Sequence, residues 1–312
     1  MLDCFVYVQI NDRIAQVRIV FSMANQEDTL KQINKSGFPF QLRVEHEIRL
    51  TQQAHNWSVA SREHPWTSAD NLSSGFIDIV LKHNQFSTFR LVIECKRIKA
   101  DDARQLRWVF LLPDKESQPT GLASCFEVEG RGGQGQTGEH EWSDLRVWDN
   151  VRLMPASLQS EFCILTSDEQ RKQPILESLA TEVLESIEGL AEEEVNIEKS
   201  LGQPSNTRLF IFPAIVTNAE IAVCRFDAAN IKITDGTLDT SDVEITTAPF
   251  IRFRKSLATS FPQGAFYYLE AANKARERTV FIVNAASLPE FLKNWNMGPL
   301  PDRDYAIKRL YR

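Results

Sequence analysis

The segments GFIDIVLK, residues 75–82, and FRLVIECK, residues 89–96, decide the fold. Each is a short apolar run rich in β-branched residues. The six residues between them, HNQFST, are polar or turn-forming, so the pair reads as an antiparallel hairpin. Side chains alternate across a strand. Phe76, Asp78 and Val80 therefore share one face while Ile77, Ile79 and Leu81 fill the other, and Val92, Glu94 and Lys96 oppose Leu91, Ile93 and Cys95. A turn centred near Phe86 sets Asp78 opposite Glu94 and Lys96 opposite Phe76, which gathers the three charged side chains on one face.

Two carboxylates facing each other across a strand pair have β-carbons about 5 Å apart, and like charges there are destabilising. A divalent cation offsets that repulsion. Magnesium takes oxygen ligands in near-octahedral geometry and keeps several waters, so two carboxylates and a scissile phosphate suit its shell. Lys96, beside Glu94, can orient or deprotonate a water activated by the ion and stabilise negative charge in the transition state. The plain structural alternative is a solvated hairpin face on which Lys96 makes an ordinary surface ion pair.

On the N-terminal side, residues 5–10 and 14–21 alternate around Asn11 and Asp12 and predict an opening hairpin. After Gly37, residues 39–53 carry Phe40, Val44 and Ile48 at helical spacing and, less regularly, Leu50, with Pro39 in the first turn. Further strands are expected at residues 57–62 and 107–112, the latter stopped by Pro113. Residues 113 to about 160 turn polar and glycine-rich, with short strands expected around Phe126 and Val147. Residues 168–200 place Leu176, Leu179, Ala180, Val183, Ile187 and Leu190 on one face and glutamates elsewhere, a long acidic helix. Strands return at residues 208–216, 220–226, 250–254 and 279–283, before a helix near 288–295.

Asp78 followed by Glu94-Cys95-Lys96 at the end of the next strand, after a helix, resembles the PD-(D/E)XK, or restriction-endonuclease-like, nuclease superfamily. The resemblance spans roughly residues 37–112. It implies an α/β fold: a restriction-endonuclease-like mixed central sheet flanked by helices, here with a polar insertion and a C-terminal αβ extension. In that superfamily a helix before the hairpin often supplies another carboxylate. The position expected to hold it is Gln41, and Glu45 lies one turn later on the same face while Glu47 points elsewhere. Ile77 stands where the naming proline would precede Asp78. Trp108-Val-Phe110 resembles the next core strand, and the acidic helix with LFIFPAIV a later helix and strand. The resemblance implies Asp78, Glu94, Lys96 and Glu45 as catalytic residues, Asp78, Glu94 and Cys95 as metal positions, and Mg²⁺ or Mn²⁺ as cofactor. The implied activity is hydrolysis of phosphodiester bonds in nucleic acid, DNA foremost, with bacterial defence or DNA processing as typical contexts. The alternative is a noncatalytic module of the same fold that binds nucleic acid or a protein partner.

The expected organisation is a hairpin and lead-in over 1–36, a nuclease core over 37–226 with the insertion at about 113–160, and an extension over 227–312. The 312 residues carry a net charge of −7, so nucleic acid must be met by a local patch. Arg97, Lys99, Arg104 and Arg107 beside the hairpin are the candidates, with Trp108 nearby for stacking. A second basic run, Arg252 to Lys255 around Phe253, would line a groove if its strand borders the cleft. The acidic balance also suggests that a homo-oligomer or protein partner completes the surface. No run of eighteen apolar residues and no basic leader occurs, and the five cysteines are odd in number and widely spaced, so a cytoplasmic protein with reduced thiols and no membrane partner is expected. GQGQTG at 133–138 matches a dinucleotide fingerprint in letters only, because neither a strand precedes it nor an apolar helix follows. No Walker A sequence, HExxH or GxSxG occurs.

Overall fold

The computed structural model of the chain describes residues 5–10, 13–18, 23–68, 72–85, 89–98, 107–120, 123–130, 140–147, 156–166, 175–200, 208–257 and 277–295. The chain forms two compact units, Met1–Leu42 and Arg43–Arg312. The first contains the expected hairpin, β1 (Phe5–Ile10) against β2 (Arg13–Arg18), in antiparallel register with Phe5 facing Arg18. Helix α1 (Met23–Ser36) follows, an element the hydrophobic pattern does not announce. Its Leu30 and Ile33 remain exposed, so no buried apolar stripe marks it. Gly37, at φ +88°, ends α1 in the left-handed region that glycine adopts without penalty, and α2 (Phe38–His55) starts at once, crossing from one unit into the next.

The second unit is a mixed α/β structure built on a large mixed sheet flanked by helices. Strands β3 (Trp57–Thr67), β4 (Ser74–His83) and β5 (Phe89–Lys96) are antiparallel neighbours. Strand β11 (Arg208–Thr217) lies parallel to β5, and β15 (Glu277–Asn284) lies parallel to β11. Strand β14 (Phe250–Ser256) runs antiparallel to β15, and the two-residue β9 (Gln159–Ser160) closes the order β3-β4-β5-β11-β15-β14-β9. The polar stretch also contributes: β7 (Ala123–Gly130) pairs with the first half of β11 and with β8 (His140–Val147).

Parallel neighbours need a long crossover, usually helical. Helix α3 (Ile175–Ser200) directly precedes β11 and lies across one sheet face. Its Leu176, Leu179, Ala180, Val183, Leu184 and Ile187 form a single buried cluster with Val80, Val92, Ile211, Ile215 and Ile282. Gly189 allows the closest approach, because a β-carbon there would stand 3.1 Å from the carbonyl oxygen of Thr67 and from the Trp66 ring. Aromatic rings cover the other face. Phe89 stacks on Phe210 and Phe212, and Trp295 packs edge-on to Trp57, Phe212 and Phe281, beside α4 (Leu288–Lys293).

A second sheet has the order β10-β6-β12-β13, with β10 (Phe162–Leu165), β6 (Arg107–Leu112), β12 (Glu220–Phe226) and β13 (Val243–Thr247). Its position corrects one expectation. Trp108-Val-Phe110 does not follow β5 in the main sheet; β6 pairs with β12 and β10, and β11 takes the place beside β5. Only ten residues separate β5 from β6, too few for a parallel crossover of a dozen or more. Among the described residues no helix is long and apolar enough to cross a membrane.

Candidate active site

The β4–β5 ladder pairs Ile79 with Ile93, Val80 with Val92, Leu81 with Leu91 and Lys82 with Arg90, the register expected from the sequence. It stops one rung short of Asp78 and Glu94. There a side chain takes over: Asp78 Oδ2 accepts a hydrogen bond of 2.6 Å from the backbone N–H of Cys95. Strand β5 is buried or nearly so through Ile93, and Glu94, Cys95 and Lys96 are half-buried, as is Asp78. The charged group thus begins where the apolar core ends. On the far side of β5, Glu94 pairs with Ile215 and Lys96 with the fully buried Thr217 of β11.

Burial pushes the Asp78 carboxyl up to about 6, against the opposing pull of the Cys95 N–H; Glu63 and Glu182 repel it further and Lys96 draws it back. Glu94 is pushed up to about 8, first by burial, then by repulsion from Asp78 and Glu182, with Lys96 again opposing. Lys96 therefore stands close enough to act on both acids. The Cys95 thiol is driven well above its ordinary value by burial and by Asp78 and Glu94, which keeps it protonated and unlike a thiolate ligand.

Two further acids, Glu63 and Glu182, join this neighbourhood. Glu63 lies between Arg62, which pairs with Ile79, and His64, which pairs with Ile77, so it sits across from Asp78 at an irregular point of β3. Its φ of +47° is rare for a residue with a side chain. Glu182 projects from α3, one residue before the buried Val183. Of the two, only Glu182 carries a usable signal in the sequence: it borders the apolar stripe of a helix that must cross the sheet. Nothing in the strand pattern marks Glu63.

Glu45 is engaged elsewhere. Its buried carboxylate accepts from Arg49 Nε and Nη2 at 2.8 and 2.7 Å and lies 3.6 Å from Arg62 Nη1, tying α2 to β3. Gln41 is buried. Of the expected phosphate-contacting residues, Arg97 is half-buried, Arg107 is paired with Glu220 at 3.0 Å, and Lys99 and Arg104 lie outside the described residues. The second basic run is not a groove lining. Arg252 and Arg254 are buried: Arg252 donates to the Thr120 carbonyl and to Ser157 Oγ, and Arg254 holds Glu277. Trp108, expected as a stacking surface, and Phe253 are core residues that share one buried cluster with the apolar face of α3. The 133–138 glycine-rich stretch lies outside the described residues.

Asp78 and Glu94 offer hard oxygen donors that cannot both ionise cheaply without a nearby positive charge, which is the chemistry a magnesium-sized cation meets. No group of three or more His, Cys, Asp or Glu side chains at metal-holding spacing occurs among the described residues. Two carboxylates suffice for an ion that retains water and takes its remaining ligands from substrate. Comparison of the chain with protein-family models, with curated proteins and with solved structures finds no match in any of the three.

Proposed function

We propose that this chain is a metal-dependent nuclease that hydrolyses phosphodiester bonds, with DNA as the first substrate to test. One observation carries the reading. Asp78 and Glu94 stand at the end of an apolar strand pair, both with raised proton affinity and Glu94 further raised by Asp78, with Lys96 near enough to oppose both shifts. The order helix, three antiparallel strands, helix, parallel strand, formed by α2, β3, β4, β5, α3 and β11, supports placing the chain with the restriction-endonuclease-like folds.

Asp78 and Glu94 would hold Mg²⁺ or Mn²⁺. When bound, the ion supplies Lewis-acid stabilisation of phosphate charge and a lowered pKa for water. Asp78 keeps one oxygen on the Cys95 N–H, which anchors its carboxylate to β5. Lys96 brings a positive charge to a group of acids, Asp78, Glu94, Glu63 and Glu182, where it can balance negative charge that develops on a phosphate. Glu63 and Glu182 deepen the negative potential that favours a cation. Glu45, bound to two arginines, supports the α2–β3 junction.

The test is cleavage of plasmid and linear DNA by purified protein in Mg²⁺ or Mn²⁺, with EDTA as control. The wild type is expected to nick or degrade DNA, and Lys96→Ala to lose cleavage while retaining its circular dichroism spectrum and unfolding midpoint. Cleavage unchanged in that variant would remove the catalytic assignment. Binding that persists in EDTA without cleavage would favour the noncatalytic module.

A further inference from the structure

The ladder between β5 and β11 ends at the pair Lys96 and Thr217, because the backbone of β11 turns away at residues 218–219 toward β12. The next rung is nevertheless made. Asn218 Oδ1 accepts from the backbone N–H of Ile98 at 2.6 Å, and Asn218 Nδ2 donates to the Ile98 carbonyl at 2.9 Å. A side-chain amide has the same donor and acceptor as a peptide group, so Asn218 replaces the missing strand residue. Asp78 grips the other edge of β5 at Cys95. Lys96, whose backbone still pairs with Thr217 on the β11 edge, is thus bracketed by two side-chain-to-backbone ties: Asp78 one residue before it, on the edge where the β4 ladder has ended, and Asn218 two residues after it, where the β11 ladder has ended.

We propose that Asn218 is the positioning residue of the site: it fixes the end of β5 so that the Lys96 side chain is presented to Asp78 and Glu94. The proposal rests on the nuclease reading for its functional meaning, but its geometric content is separable. Asn218 itself touches neither carboxylate in the described hydrogen bonds, so its loss should displace the lysine while leaving the two acids in place. A catalytic group misplaced by about 1 Å can cost about a hundredfold in rate.

The variants are Asn218→Ala, which loses both bonds, and Asn218→Asp, which retains the acceptor for Ile98 N–H and loses the donor. Ser58→Ala is the control; it removes a comparable exposed bond, Ser58 Oγ to Asn84 Oδ1 at 2.7 Å, at the opposite end of the hairpin. Three measurements are made on the full chain: cleavage kinetics in Mg²⁺, Mn²⁺ affinity by calorimetry, and the rate of Lys96 acylation by an activated acetate ester, read by peptide mass spectrometry against Lys115. Asn218→Ala is expected to lower kcat by about ten- to a hundredfold, with KM for DNA and Mn²⁺ affinity within about threefold of wild type. Lys96 acylation is expected to rise several-fold, with Asn218→Asp intermediate and Ser58→Ala unchanged in all three. Were Lys96 acylation unchanged in Asn218→Ala, the proposal would be overturned whatever happened to cleavage. Were Mn²⁺ affinity to collapse in parallel with kcat, Asn218 would be a general structural support and the proposal would also fall. A rise in Lys96 acylation in a protein whose wild type never cleaves DNA would uphold the placement and refute the nuclease reading.

Discussion

Replacing Glu94 by glutamine should make the metal-free protein more stable at high pH. A carboxyl held at about 8 in the fold, against an ordinary 4.5, resists ionisation because charging it means charging a group partly withdrawn from solvent and beside Asp78 and Glu182. A raised value in the folded state contributes stability that is complete below the unfolded value and lost as pH rises through the folded one. For Glu94 the losing window therefore runs from about pH 4.5 to beyond pH 8. At about 1.4 kcal/mol for each tenfold in proton affinity, the gap amounts to about 3 to 5 kcal/mol. Glutamine has the shape of the protonated acid and cannot ionise, so Glu94→Gln should match wild type at about pH 4, below the window, and exceed it by that amount at about pH 9 in EDTA. Urea unfolding read by tryptophan fluorescence is suited to the purpose, since Trp57, Trp66, Trp108 and Trp295 are all buried. Mg²⁺ at about a hundred times its Kd should return about 2.7 kcal/mol to wild type at pH 8.5 and far less to the variant. Parallel pH profiles for the two proteins in EDTA would refute the electrostatic account of the site.

An opposite limb should appear in acid: His55 and His83 are buried with proton affinities lowered chiefly by burial, so their contribution is present above about pH 6.5 and lost as pH falls through the folded values. His83→Gln should flatten the fall in unfolding midpoint between pH 6.5 and 4.5, where wild type declines. Gly189→Ala should destabilise by about 1 to 3 kcal/mol despite the better helix propensity of alanine, because the new carbon meets the Thr67 carbonyl oxygen at 3.1 Å and backbone cannot step aside; its urea midpoint checks this. Glu277→Ala should cost about 3 to 5 kcal/mol by leaving Arg254 buried without its carboxylate, and the double variant with Arg254→Met should recover most of the loss in the same assay.

Local patterning made the hairpin legible. The buried faces of β4 and β5 are continuous apolar runs, and one turn centre set the pairing of Ile79 with Ile93. The same held for α3, whose stripe from Leu176 to Leu190 is buried as its spacing predicts. What escaped was nonlocal or unmarked. Whether β6 or β11 lies beside β5 depends on which crossover can span a sheet face, and an apolar run such as Trp108-Val-Phe110 looks the same in either sheet. Helix α1 leaves Leu30 and Ile33 in solvent and so lacks a buried periodic stripe. In the site, Asp78, Glu94 and Lys96 were readable from parity, whereas Glu63 is turned by a backbone irregularity that no residue type announces. Arg252 and Arg254 alternate like a phosphate-binding strand, yet carbonyl and carboxylate partners inside the fold absorb them.

The bond from Cys95 N–H to Asp78 asks only for an oxygen acceptor, and an amide oxygen qualifies. Asparagine at this position could preserve the stitch between the two strands while erasing the negative charge, whereas alanine would undo both. Scaffold and electrostatics are thus genetically separable at one codon, and a pair of alleles at residue 78 can report on each without disturbing the other.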